Sequence, residues 1–432
     1  MKLMRQRFIF GFWLPLFASW LLMTAEGPTI SAAINRLPNE VTMMAAYGIV
    51  VSLSVLIESP IINLLATSTA LVKDRASYLL VRRFTVHGMI LLTVVTILVA
   101  FSPLFDVIVI DILETPLEVA QWVQPGMQIM TFWSAAIAWR RFLQGVMIHF
   151  GQTRKVAWGT GIRLVASAGT AVSLAYFLEL PGVILGALAL MAGVLTEAAY
   201  TTIAIRSILQ HELAPETPPV DGDPLTYREL FWFHLPLALT SVLLLLVQPM
   251  VNASLARLPN PLVSLAAWPI LFQITLMARA GALALPEVVI ALSDRPNSFV
   301  PVRQFAFNLT IITTGLMLLF IVTPLAGFYI FVVQDMTSVV GDVVQASVVY
   351  FLLFPALVTI ISWLRGLLIN KRVTMAVNLG MVTNLVITAV VLLTGLYLQW
   401  SGIFAAALAF NLAAVGEILY LGWQTHSACF PV

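Results

Sequence analysis

Two long stretches of this chain match each other at a constant offset, and a chain built that way folds as a duplicate. Phe12, Leu14, Pro15 and Leu16 recur as Phe233, Leu235, Pro236 and Leu237, a shift of 221 residues (236 − 15 = 221). The same shift carries Pro28 onto Pro249 and the run Arg36, Leu37, Pro38, Asn39 onto Arg257, Leu258, Pro259, Asn260. It continues through Ala45 and Ala46 onto Ala266 and Ala267, Gly145 onto Gly366, Thr153 onto Thr374, and Gly159 onto Gly380. After a slip of one residue, Gly182, Glu197 and Tyr200 meet Gly402, Glu417 and Tyr420. Duplication across nearly the whole chain implies two equivalent halves, and in membrane proteins such halves commonly frame a substrate site between them.

The solvent is a bilayer. With 60% hydrophobic and 10% charged residues and a mean hydropathy of +0.98, the chain lies far from soluble domains, in which roughly a quarter of residues are charged. Apolar runs of about twenty residues span roughly 30 Å of hydrocarbon. Twelve are expected: 9–34, 41–70, 84–106, 122–150, 156–178 and 182–205 in the first half, then 230–255, 262–292, 304–333, 343–370, 373–397 and 402–425 in the second. Cytoplasmic loops hold an excess of Lys and Arg. Lys2, Arg5 and Arg7, then Lys73, Arg75, Arg82 and Arg83, then Arg154 and Lys155, Arg295 and Arg303, and Lys371 and Arg372 all fall on one side. Asp106, Asp111, Glu114, Glu118, Glu179, Asp335 and Asp342 fall on the other. The expected fold is therefore all-α and integral to the membrane, with twelve transmembrane helices as two parallel six-helix repeats and both termini cytoplasmic. The expected division is an N-terminal bundle over 1–206, a cytoplasmic linker over 207–228 and a C-terminal bundle over 229–432.

The charges argue against other classes. A net charge of +2 sorted by side of the membrane leaves no nucleic-acid patch. The single cysteine, Cys429, forms no disulfide framework or thiolate metal site. No phosphate-binding Walker loop is present, the first apolar segment reads as a retained span, and no cofactor or enzymatic activity is expected.

A charged side chain in a spanning helix costs roughly 2.5–3.5 kcal/mol on insertion scales, so each one needs a reason. Glu58 and Arg279 are repeat mates of opposite charge. One reading makes them an ion pair between the halves that closes an inward gate; the other neutralises each within its own half, Glu58 by Arg82 or Arg83. Arg140, Arg141 and the nearly equivalent Arg365 either snorkel to headgroups or converge on a phosphate or carboxylate, which the guanidinium fork binds in bidentate fashion. Glu197 and Glu417, with Arg163, read as structural pairs or as coupling groups. Glu26 lies two residues before the helix-breaking Pro28 and is a candidate for coupling transport to H+ or Na+; the mate kink carries Gln248, Pro249 and Asn252.

The segment around Arg141, Gly145, Gly151, Thr153 and Arg154 resembles the Gly…Gly-x-Thr-Arg signature of the MATE-like superfamily of drug exporters, polysaccharide and lipid-linked precursor flippases, and progressive ankylosis proteins. Ala45 to Leu53, Phe231 to Leu239, and Pro249 to Asn252 are most similar to the progressive ankylosis branch. The resemblance covers essentially the whole chain. It implies paired six-helix bundles working by alternating access, and for that branch export of pyrophosphate, nucleotide or citrate. The resulting expectation is a monomeric exporter of an anionic solute in a bacterial inner (plasma) membrane, contacting membrane lipid. Substrate would meet Arg140, Arg141 and Arg365. Alternatives are a flippase for a lipid-linked pyrophosphate and a cation-coupled multidrug antiporter.

Overall fold

The computed structural model describes residues 5–215, 224–293, 298–371 and 373–429. Residues 216–223 of the expected linker, together with Lys2, Arg295 and Arg372, lie outside them. In chain order the helices are α1 (Gln6–Ile34), α2 (Glu40–Glu58), α3 (Leu64–Leu71), α4 (Arg75–Phe101), α5 (Leu117–Ile129), α6 (Trp133–His149), α7 (Thr153–Phe177), α8 (Gly182–Ala204), α9 (Arg206–His211) and α10 (Tyr227–Leu245). They continue with α11 (Val247–Arg257), α12 (Pro261–Ala278), α13 (Ala280–Leu283), α14 (Leu285–Ser293), α15 (Phe299–Val322), α16 (Leu325–Gly327), α17 (Ser338–Ser347), α18 (Phe354–Asn370), α19 (Thr374–Tyr397) and α20 (Gly402–Cys429). No strand occurs among the described residues.

Among the described residues nine stretches are long and apolar enough to cross a bilayer, or ten when the pair Ser338–Phe351 and Phe354–Asn370, bent by 46°, counts as one span. Of the twelve expected spans, the two that fall short of this standard are α5 with α6, which carries glutamines and two arginines, and α7, which carries Arg154, Lys155 and Arg163. Arg82, Arg83 and Arg303 are helical and not in loops, because α4 and α15 begin earlier than the hydropathy suggested. Asp74 starts α4 with a reciprocal cap, its carboxylate accepting from the Ser77 N–H at 2.8 Å. Large apolar side chains point outward along many helices, Val165 (73% exposed) and Leu419 (69%) among them. Such faces suit a hydrocarbon surround.

The duplication survives in backbone detail. Asn39 and Asn260 both adopt the left-handed conformation before α2 and α12 (φ 59° and 55°), and Glu114 and Asp335 share φ 51°; each pair is 221 residues apart. Asn tolerates that region at low cost because its short amide bonds locally. The π-helical turns Asp106–Ile112 and Phe328–Val333 are likewise equivalent. Gly145 of α6 lets the helix meet the Leu65 carbonyl and the Ser68 side chain of α3, and its mate Gly366 of α18 meets Pro286 and Val289 of α14, again 221 residues apart. Small residues at such crossings allow helices to pack closely in lipid.

The chain divides into two compact units, Leu37–Pro249 and Met1–Arg36 with Met250–Val432. They follow the repeat but not its sequence boundary at 206–229. Helix α1 belongs to the unit of α12 to α20, where the Trp13 indole N–H donates to the Gly281 carbonyl at 2.9 Å. Trp13 stacks on Phe17 (4.7 Å) and meets Phe305 edge-on (5.8 Å). Helix α10 belongs to the unit of α2 to α9. There His234 is buried, with Nδ1 2.8 Å from the Thr67 hydroxyl and Nε2 2.8 Å from the Pro60 carbonyl, while Asn63 donates to the Leu237 carbonyl at 2.9 Å. Each repeat thus places its first helix in the unit built mainly from the other.

Candidate functional site

Each repeat buries a carboxylate on its last long helix, α8 or α20, and each is clamped from the same two neighbouring positions. In the first-described unit Glu197 of α8 is fully buried. Its Oε1 accepts from Gln144 Nε2 of α6 at 2.8 Å, and its Oε2 lies 3.0 Å from Arg140 Nη1 of α6 and 4.0 Å from Arg163 Nη1 of α7. In the other unit Glu417 of α20, 1% exposed, accepts from Arg365 of α18 through Nε at 2.8 Å, with Nη2 2.5 Å away, and from Asn384 of α19 at 3.0 Å.

The strict repeat offset pairs Gln144 with Arg365 and Arg163 with Asn384. Guanidinium and amide have changed places between the halves, and each carboxylate keeps one of both. Arg365, which looked nearly equivalent to Arg140 and Arg141, is therefore the mate of Gln144. Arg140 and Arg141 have Ile361 and Ser362 as their mates, so these two cations are additions peculiar to the first half.

That surplus makes the Leu37–Pro249 unit electrostatically unlike its partner. Arg140 is 4% exposed and held by Glu197. Arg141 beside it has a buried Nε with no hydrogen-bond partner in the protein. Buried Glu58 completes the cluster: the cations acting on it are Arg140, Arg163 and Arg141, not the Arg82 or Arg83 suggested by proximity in sequence. One of its carboxylate oxygens also lacks a hydrogen-bond partner. Arg163 additionally lies over the Trp133 ring, 5.8 Å from its centroid. Arg140 and Arg163 thus flank Glu197, and Arg141 and Glu58 lie close enough to act on these charges, in a low-dielectric interior where an uncompensated charge attracts a counter-ion strongly.

In the other unit Arg279 lies against the rings of Phe272 (5.5 Å) and Phe354 (5.4 Å). Its buried Nε has no hydrogen-bond partner, and no acid of its unit stands within ion-pair distance among the described residues. Glu26 on α1 is buried two residues before Pro28, with Asn252 also buried in that unit; Glu26, Gln248 and Asn252 are each engaged by neighbours. The Pro28 carbonyl accepts from Gln334 Nε2 at 3.1 Å. The Ser31 hydroxyl lies 2.8 Å from Gln334 Oε1 and 3.0 Å from Gln273 Oε1. Pro28 and Ser31 therefore join an amide network with Gln273 and Gln334 that hydropathy alone did not reveal. No group of His, Cys, Asp and Glu suited to a metal ion occurs among the described residues.

No family profile and no curated protein matches the sequence. Solved structures do. A multidrug resistance MATE family transporter of the MOP superfamily, in its inward-facing conformation, is similar over 96% of both chains at 13% identity with a TM-score of 0.71. The lipid II flippase MurJ, inward closed, is similar over 95% of this chain and 87% of its own, at 12% identity and a TM-score of 0.68. A MOP superfamily transporter from Pyrococcus furiosus, described as having a binding pocket of reverse polarity that suggests a different function, is similar over 96% of both chains at 11% identity and a TM-score of 0.62. This chain shares their fold.

Proposed function

We propose that this protein is a membrane transporter that moves an anionic solute by alternating access. The observation that supports this most is the cationic surplus around Arg141. Arg140 is paired with Glu197 and Arg365 with Glu417, whereas Arg141 makes no ion pair or hydrogen bond among the described residues, and the buried Nε of both Arg140 and Arg141 is left unbonded by the protein. A phosphate or carboxylate is the partner that such a fork accepts. Arg141 is then the substrate contact, and Arg140 supplies field and position.

The shared fold fits this reading, since the similar structures are transporters and a flippase. The Pyrococcus furiosus protein, with its pocket of reverse polarity, is a precedent within the fold for a cavity of changed charge. The finer assignment to the progressive ankylosis branch, with pyrophosphate, nucleotide or citrate as solute and the plasma membrane as location, forms part of the same proposal. Glu26, buried two residues before Pro28 within α1, is the proposed site of H+ or Na+ coupling. A second reading, a flippase for a lipid-linked pyrophosphate, draws on the likeness to MurJ and would use the same arginine.

The test is counterflow of radiolabelled citrate, pyrophosphate and ATP in proteoliposomes. A charge-assisted hydrogen bond is worth about 1.5–3 kcal/mol, so Arg141→Ala should weaken apparent affinity for the transported anion by roughly tenfold to hundredfold. Unchanged affinity in that variant would remove Arg141 from the site.

A further inference from the structure

An apolar cavity of about 520 Å3 opens in the unit containing α1, between α1, α12, α13 and α15. Its floor is Trp13, Phe17 and Gly281, with the indole held flat by the Phe17 stack and by its bond to the Gly281 carbonyl. No side chain could occupy that floor: a Cβ on Gly281 would stand 2.9 Å from Trp13 Cζ2. The lips are Leu14, Leu21, Ile312 and Leu316, between 37% and 60% exposed.

The groove has one polar end. Thr313 lines it but gives its hydroxyl proton to the Leu309 carbonyl at 2.8 Å. Tyr329 differs: its oxygen accepts from Gln334 Nε2 at 3.0 Å, and its own O–H has no acceptor among the described residues. That hydroxyl stands beside Phe320, 6.1 Å from ring to ring, near the end of α15 at Val322. Tyrosines at such ends mark the level where hydrocarbon meets headgroups.

Length and surroundings select the occupant. Lining residues run from Phe10 to Leu21 on α1 and from Leu309 to Phe320 on α15, about 16 Å along each helix at 1.5 Å per residue. That is roughly half of a 30 Å hydrocarbon core, the depth of one leaflet. The lips continue onto the outward face of α15, where Phe307, Ile311 and Leu319 are 64%, 56% and 49% exposed. This face is already a lipid interface, and the groove is an indentation in it. We propose that the groove is a specific site for one acyl chain of a membrane phospholipid, with the chain against Trp13 and Phe17 and an ester oxygen accepting from Tyr329. The seated chain forms part of the wall between α1 and α15, and the site is independent of the anion reading above.

The experiment uses the full-length protein in nanodiscs containing phosphatidylcholine with a diazirine in its acyl chain, with cross-linked peptides mapped by mass spectrometry. Labelling is expected to concentrate on 10–21 and 309–320, at least several-fold above other exposed faces such as that of Val165. Leu316→Trp and, separately, Ile312→Trp fill the groove and should each abolish that excess, whereas Ile311→Trp on the adjoining lipid face should leave it intact. Monodisperse elution identifies folded variants, and either filling variant alone suffices. Uniform labelling of all lipid-facing helices, or an excess that survives filling, would overturn the proposal. So would complete displacement of the phospholipid by an equimolar polyprenyl phosphate, which would assign the groove to that lipid class.

Discussion

Exchanging the two partners of Glu417 tests whether the halves really share one clamp. Glu417 is 1% exposed and takes two contacts from Arg365, at 2.8 and 2.5 Å, and one from Asn384 at 3.0 Å. Removing one member of a buried ion pair costs about 3–5 kcal/mol because the other charge is left uncompensated. The Arg365 side chain is 22% exposed, which places this pair at the low end. A glutamine at 365 can still donate one amide bond, as Gln144 does to Glu197 at 2.8 Å, recovering about 1 kcal/mol. Arg365→Gln should therefore destabilise by about 2–3 kcal/mol. Asn384→Arg alone sets a second guanidinium against one carboxylate and should also destabilise. The double variant reproduces the arrangement of Gln144 and Arg163 around Glu197. It should return to within about 1 kcal/mol of wild type, a coupling energy of a size seen for residues in one network. Denaturant unfolding of the four proteins in the same micelles measures this directly. A double variant as unstable as the sum of the singles would refute the shared clamp.

Two further perturbations probe the duplicated backbone. Gly145→Ala drives a methyl into the Leu65 carbonyl, and Gly366→Ala drives one to 2.7 Å from Val289 Cβ. Both should lower stability by about 1–3 kcal/mol as overpacking does, with Gly145 the worse because backbone cannot yield, and thermal unfolding would show it. Asn39→Ala and Asn260→Ala force an ordinary residue into left-handed backbone, at about 1–2 kcal/mol each, while the glycine variants should be close to neutral; equal effects of Ala and Gly would mean that these backbones relax.

The duplication, the helical class and the buried charges could all be read from sequence, because insertion costs make each intramembrane charge conspicuous and an ungapped offset makes mates easy to assign. The clamp was partly legible. Arg365 aligns with Gln144 at the offset that relates the glycines one residue on, but comparing arginine with arginine drew it toward Arg140 and Arg141. The exchange of α1 and α10 between units was hidden. Hydropathy is blind to which bundle a helix joins, and the decision rests on single contacts such as Trp13 with Gly281 and His234 with Thr67. The helix starts were misplaced for a related reason: Arg82 and Arg303 are polar but lie on helices that extend past the apolar run. The Pro28 network was unreadable because Gln334 and Gln273 reach it from far along the chain.

The most direct measurement is counterflow in vesicles containing wild type, Arg141→Lys or Arg141→Ala, with an organic cation and the three anions as competing substrates. The anion reading expects at least one of citrate, pyrophosphate or ATP to exchange in wild type, with Lys retaining part of the activity and Ala almost none, and no inhibition by the cation. Exchange of the cation, indifferent to position 141, would contradict it.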